Sequence, residues 1–260
     1  MTGARTFTFL GTGTSVGVPM LGCDCAVCNS TDPRNRRFRS SVLIQTPAGN
    51  ILIDTGPEMR LQLLREGIKI IHAVVYTHFH VDHLFGFDDL RVFPWRMQKP
   101  MPVYCNEETE EVIRRAFAYA FGPGAEEVPI GSIPRIVFER IDTEPFTVLD
   151  QRFVPVPLRH SHFNVLGFRI DNLAYCTDVS MIPETSLELL RDLDVLIVDC
   201  LRYKTHPAHF SVNEALQIIE QLKPRQAYLT HMSHDLDYET LRRQLPDHIQ
   251  PAYDGLKFAF

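Results

Sequence analysis

His78, His80, Asp82 and His83 place three imidazoles and one carboxylate within six residues, in the run His78-Phe79-His80-Val81-Asp82-His83. A tight loop can turn these side chains toward two neighbouring points. Imidazole nitrogens suit zinc, iron and manganese, and a carboxylate adds hard oxygen character. The run directly follows the apolar stretch Val74-Val75-Tyr76-Thr77. Buried polar groups need partners, so this many ligand-type side chains at the end of a buried strand point to metal binding, not to a solvated face.

The same arrangement recurs along the chain. Asp54 follows Ile51–Ile53, His160 follows Val154–Arg159, Asp178 follows Ala174–Thr177, Asp199 follows Leu196–Val198, and His231 follows Tyr228–Thr230. Side chains able to hold metal thus gather at strand ends, where a rigid sheet can aim them at one place. A second cluster is Cys23-Asp24-Cys25-Ala26-Val27-Cys28, three of the six cysteines. In a reducing compartment such spacing reads as metal binding before disulfide.

The elements that would position these residues are short. Apolar runs at Thr6–Leu10, Ser41–Gln45, Ile51–Ile53, His72–Tyr76, Leu173–Cys176, Val195–Val198 and Ala227–Leu229 read as buried strands. Helical patterns lie between them at Glu58–Glu66, Glu107–Phe121, Ser186–Leu193 and Val212–Leu222. Ser211 and Glu214 have capping-box spacing, which starts the last helix, and Gly122-Pro123-Gly124 is expected to stop the second. With no repeat, linker or low-complexity segment, the expected architecture is one α/β domain over 1–260. Gly122–Pro134 shows no periodicity and reads as a surface loop, a candidate neighbour of the substrate.

Composition narrows the partners. The 260 residues are 45% hydrophobic and 22% charged, and the net charge is −6. This argues against a large nucleic-acid footprint. The exception is Arg34, Arg36, Arg37 and Arg39, which reads as a solvated loop. No run of 18 apolar residues suggests a membrane span, and Met1–Arg5 leads into Thr6–Leu10 without the apolar core of a signal peptide, so a cytoplasmic location is expected.

His-x-His-x-Asp-His resembles the signature of the metallo-β-lactamase superfamily, which implies a four-layer αββα sandwich. The resemblance implies one divalent ion held by His78, His80 and His160, a second held by Asp82, His83 and His231, and a bridging Asp178 with a hydroxide shared between the ions. Asp54, in Leu52-Ile53-Asp54-Thr55-Gly56, would orient a ligand imidazole. His162 competes with His160, which is preferred because it ends the strand. The stretch Phe9-Leu10-Gly11-Thr12-Gly13-Thr14-Ser15-Val16-Gly17-Val18-Pro19, followed by Gly22-Cys23-Asp24-Cys25-x-x-Cys28, is similar to the phosphoribosyl 1,2-cyclic phosphate phosphodiesterases of the carbon–phosphorus lyase pathway, over nearly the whole chain. That similarity implies a structural zinc on Cys23, Cys25, Cys28 and His234, catalytic zinc or manganese, a small, cyclic phosphodiester substrate, and a homodimer. It also implies that His209, on a loop over the metals, joins Asp82 and Asp54 in the catalytic group as proton donor to the leaving oxygen. His72, His162, His206 and His248 read as surface histidines.

Two other hydrolases share the ligand set. A tRNA 3′-processing endonuclease often carries a flexible arm between the third His and the bridging Asp, where this chain has only residues 161–177. A lactone or thioester hydrolase would need neither His209 nor the cysteine cluster. A vestigial metal scaffold is disfavoured because every expected ligand is present.

Overall fold

The computed structural model describes residues 5–260; Met1–Ala4, the start of the lead-in to the first strand, lie outside the described residues. Two seven-stranded sheets form the centre. The first contains β1 (Thr6–Gly11), β2 (Ser41–Thr46), β3 (Gly49–Ile53), β4 (Ala73–Val75), β5 (Met101–Cys105) and β6 (Ile136–Arg140) in chain order. The second contains β7 (Phe146–Val148), β8 (Gln151–His160), β9 (Phe163–Ile170), β10 (Leu173–Cys176), β11 (Val195–Asp199), β12 (Gln226–Thr230) and β13 (Ile249–Pro251), also in chain order. The chain then returns to the first sheet, where β14 (Lys257–Ala259) pairs with β1.

The strands read as continuous apolar runs because both faces of each sheet are covered. Alternation decides which face each residue serves. Ile51, Ile53 and Val75 pack between the sheets against Phe153, Phe168, Tyr175 and Ile197. Leu52, Val74 and Val103 face outward onto α1 (Met59–Arg65), α2 (Val81–Leu84) and α4 (Glu107–Ala116), with α3 (Val92–Met97) in the same layer. On the far side, Leu196, Val198 and Leu229 pack under α5 (Glu184–Leu189), α6 (Val212–Leu222) and α7 (Tyr238–Gln244). The order is therefore helix, sheet, sheet, helix: the αββα sandwich.

The helix read from Val212 to Leu222 is present with those bounds, and Ser211 and Glu214 form the capping box. The helix expected to run to Phe121 ends at Ala116, where Phe117 leaves helical geometry and packs its ring on Phe87, before Gly122-Pro123-Gly124 is reached. The helix read as Ser186–Leu193 lies at Glu184–Leu189, entered from Pro183. The arginine patch is not a solvated loop. Arg37 is 2% exposed, Arg34 pairs with Asp32 and Glu239, and Arg39 pairs with Glu58. Arg36 alone of the four is exposed. No described helix is long and apolar enough to cross a membrane.

Candidate metal centre

Strands β3 and β4 run parallel, as do β10, β11 and β12. Their carboxyl ends, and the residues that follow, therefore emerge along one edge of each sheet. Leu166 of β9 donates its N–H to the Thr77 carbonyl (3.0 Å), tying the two edges together. His78, Asp178 and His231 meet there, with Asp54 behind them on the His83 ring. Asp54, Asp178 and His231 all have left-handed backbone, at φ 64°, 55° and 58°. Such a conformation costs a non-glycine residue roughly 1 kcal/mol or more, and it persists where the surrounding structure fixes it, as at functional sites. Gly56 lets the Asp54 turn pack against α2: a Cβ there would lie 2.6 Å from the Asp82 carbonyl oxygen.

Two groups of donor atoms face each other. His78, His80, His160 and Asp178 form one; Asp82, His83, Asp178 and His231 form the other, and within each group the ligand atoms lie within 4.8 Å of one another. Asp178 belongs to both. Its Oδ1 is 3.2 Å from His83 Nε2, and its Oδ2 is 3.4 Å from His231 Nε2, 3.8 Å from His78 Nε2 and 3.9 Å from His160 Nε2. Asp82 Oδ2 is 3.4 Å from His83 Nε2 and 3.6 Å from His231 Nε2. Ligand bonds of about 2.0–2.1 Å in a tetrahedron give edges of roughly 3.3 Å, so this spacing suits ions such as zinc.

The hydrogen bonds behind the rings fix which nitrogen faces inward. Asp54 accepts from His83 Nδ1 (2.7 Å), Thr77 N–H (2.9 Å) and Thr77 Oγ1 (2.8 Å). Thr77 Oγ1, committed as donor to Asp54, accepts from His78 Nδ1 (2.9 Å). His160 Nδ1 donates to the Ala208 carbonyl (2.6 Å). All three rings thus carry a proton on Nδ1 and turn Nε2 toward the centre, where a bound ion would take the place of any second proton. His78, His83 and His231 Nε2 are buried without a hydrogen-bond partner. Burial pushes His78, His80 and His160 down from the ordinary histidine range, which keeps them neutral. At His83 burial is outweighed by Asp178, Asp82 and Asp54, which hold it well above that range. Asp54, Asp82, Asp178 and Asp199 are all buried, and among the described residues their ion pairs are with histidines only. Buried negative charge without Lys or Arg, facing inward lone pairs, is what divalent cations satisfy.

His209 lies between β11 and α6, buried against the same centre. Its ring stacks on His231 at 4.6 Å and meets His160 edge-on at 4.5 Å. Its Nδ1 donates to Asp199 Oδ2 (2.7 Å). Burial disfavours its charged form, but the Asp199 charge and hydrogen bond outweigh this and raise its pKa to about 9. Sequence reasoning placed Asp199 at a strand end without a role; the structure gives it the His209 ring, with Oδ1 3.8 Å from His231 Nδ1. Thr77 and the Ala208 carbonyl were also missed. Thr77 could have been found from its place between the strand and His78; a backbone carbonyl carries no sequence signal.

The cysteine group assembles across the chain. Cys23 Sγ and Cys25 Sγ lie 3.2 and 3.4 Å from His234 Nδ1, and Cys28 completes the group. Cys25 is lowered to about 6 by the Cys28 backbone N–H and by His234, whereas burial raises Cys28 to about 11. Three thiols and one imidazole converging without disulfides fit a closed tetrahedral site. Of the four histidines read as surface residues, His162 and His248 are exposed, while His72 and His206 are half-buried. His72 Nδ1 accepts the Asn50 N–H (3.0 Å), and the His206 ring lies 5.3 Å from His209. Gly122–Pro134 packs beside the segment after α2, through Arg91 on the Ser132 carbonyl and Gly131 near Trp95.

Residues 49–232 match the model of the β-lactamase superfamily domain. The chain belongs to the β-lactamase superfamily. A solved structure of a diphosphatase from the PhnP family superposes with a TM-score of 0.93 at 45% identity, covering 100% of this chain and 98% of that one, and places the chain in that family. An octanoyltransferase of Porphyromonas gingivalis is 38% identical over 253 residues, 95% of this chain but 50% of that protein. A ribonuclease Z of Bradyrhizobium sp. is 29% identical over 122 residues, 45% of this chain and 40% of that protein. The chain spans about half the length of the curated relatives it matches. Fold and family together are those of the metallo-β-lactamase type, a fold that implies divalent metal ions.

Proposed function

We propose that the chain hydrolyses a small phosphodiester at two divalent ions, zinc or manganese. His78, His80 and His160 would hold one, Asp82, His83 and His231 the other, and Asp178 would contribute to both. A third ion, structural zinc, would occupy Cys23, Cys25, Cys28 and His234. Bound ions would lower the pKa of a water in the centre and neutralise charge on the phosphoryl oxygens.

The observation that carries the substrate class is the Asp199–His209 pair beside the ligands. With Nδ1 donated to Asp199, His209 presents Nε2 to the centre. A proton given there stabilises a departing alkoxide, the poor leaving group of an alkyl or cyclic phosphodiester. Asp54, Thr77 and the Ala208 carbonyl keep His83, His78 and His160 in register and tautomer for the ions. A diphosphate is the second reading, favoured by the similarity to the PhnP-family diphosphatase. Its leaving group is a phosphate, which needs a proton far less. Against a tRNA substrate, residues 161–177 are taken up by β9, β10 and their turns, leaving no length for an arm.

Metal-loaded protein offered a ribosyl 1,2-cyclic phosphate, bis(p-nitrophenyl) phosphate, a nucleoside diphosphate sugar, a precursor tRNA and an acyl-homoserine lactone tests this. Turnover of the diesters ahead of the rest supports the proposal. Preference for the diphosphate selects the second reading, and efficient cleavage of tRNA or lactone overturns both.

A further inference from the structure

Arg37 is the largest fully buried side chain among the described residues, and no ion pair there includes it. Its guanidinium instead holds backbone. Nη1 donates to the Ser233 carbonyl (2.8 Å), and Nη2 donates to the Leu236 carbonyl (2.7 Å) and to Asn35 Oδ1 (3.1 Å). Ser233–Leu236 is a turn closed by Leu236 N–H on the Ser233 carbonyl (3.3 Å), with His234 at its first corner. The planar fork therefore grips both carbonyl ends of the turn that presents His234 to Cys23 and Cys25.

The same short segment begins at His231. Met232, the next residue, donates its N–H to the Thr12 carbonyl (2.8 Å) and accepts from Thr14 N–H (3.2 Å). The Arg37 backbone pairs in both directions with Val18, and Met20 N–H, two residues on, donates to Cys28 Sγ (3.4 Å). One residue thus joins the cysteine-bearing loop through its backbone and the histidine-bearing segment through its side chain. Burying a charge without a direct ion pair is unfavourable, and burial lowers the Arg37 pKa to about 10 although the Asp254 and Asp237 charges oppose it. A rigid fork spanning two carbonyls is what a lysine or an apolar residue could not supply.

We propose that Arg37 is a positioning residue for metal binding, which sets His234 and His231 together through the Ser233–Leu236 turn and so links the affinities of the thiolate site and the catalytic centre. This rests on the assignment of both metal sites above. Cobalt(II) titration of the full chain separates them, because thiolate-to-cobalt charge transfer reports the cysteine site and chelator competition reports the catalytic one. Arg37→Lys and Arg37→Met should each weaken both sites, by about tenfold or more, as removal of residues that orient ligands does. Phe153→Leu, in the inter-sheet core, should lower thermal stability and leave both affinities unchanged. A folded Arg37→Lys protein with both affinities within about twofold of wild type, or with a loss at one site only, overturns the proposal. Reciprocity supplies a test that needs no variant: removing the thiolate-bound ion from wild type must weaken the catalytic site, and an unchanged affinity overturns the link. A wild-type protein with no thiolate–cobalt band would instead refute the cysteine-site assignment, and the link with it.

Discussion

Replacing Asp54 with Asn should disable the second metal position while barely changing shape. Asp54 is fully buried and accepts three hydrogen bonds, one from His83 Nδ1. Asn can keep the Thr77 N–H on its oxygen, but its NH₂ group then faces His83 Nδ1. Either two donors confront each other, or His83 moves its proton to Nε2 and loses the lone pair that faces the centre. A hydrogen bond to a charged group is worth about 1.5–3 kcal/mol. Taking roughly 2 kcal/mol, at 1.36 kcal/mol per decade, gives about a 30-fold loss of metal affinity. Chelator competition at equilibrium measures the affinity, and turnover of bis(p-nitrophenyl) phosphate at limiting metal should fall with it. A folded Asp54→Asn protein that binds metal within about threefold of wild type would refute the idea that this carboxylate sets the ligand tautomer.

His209→Ala should slow diesters with alkoxide leaving groups by about 10²–10⁴-fold and nitrophenolate diesters much less, read as kcat on the two classes; equal losses would remove its role as proton donor. Metal at the cysteine site should be lost on acidification, because protons compete for the thiolates as pH falls through the Cys25 value of about 6. Binding at neutral pH should release a proton from Cys28, which burial holds near 11, and a weakly buffered indicator titration will show it. Glu214→Ala removes the carboxylate that accepts from Ser211 N–H (2.8 Å) and Oγ (2.6 Å) at the start of α6. It should cost about 1 kcal/mol, seen as a Tm lower by roughly 2–4 °C, with turnover unchanged.

Much of this site is legible in the sequence because its residues are chemically distinctive and strand ends gather them. Ile53-Asp54, Thr177-Asp178 and Thr230-His231 each put a ligand-type residue directly after a buried run, and parallel pairing brings such ends together. What a sequence cannot show is the far partner. Arg37 reads as one more surface charge until the Ser233 and Leu236 carbonyls, about 200 residues away, are seen around it. The Ala208 carbonyl behind His160 is silent for the same reason. The second helix ends early because Phe117 is drawn into contact with Phe87, a tertiary effect that local periodicity misses. Gly167 interrupts the apolar pattern of strand β9, and the structure explains that glycine, since a Cβ there would lie 2.9 Å from the Tyr175 carbonyl oxygen.

Metal content and phosphodiester turnover measured on the same samples bear most directly on the two-ion centre. Stripped protein should be inactive on bis(p-nitrophenyl) phosphate. Activity should return only as two ions per chain, beyond the one on the cysteines, are restored. Turnover that persists in stripped protein, or that is complete with the catalytic ligands empty, would contradict it.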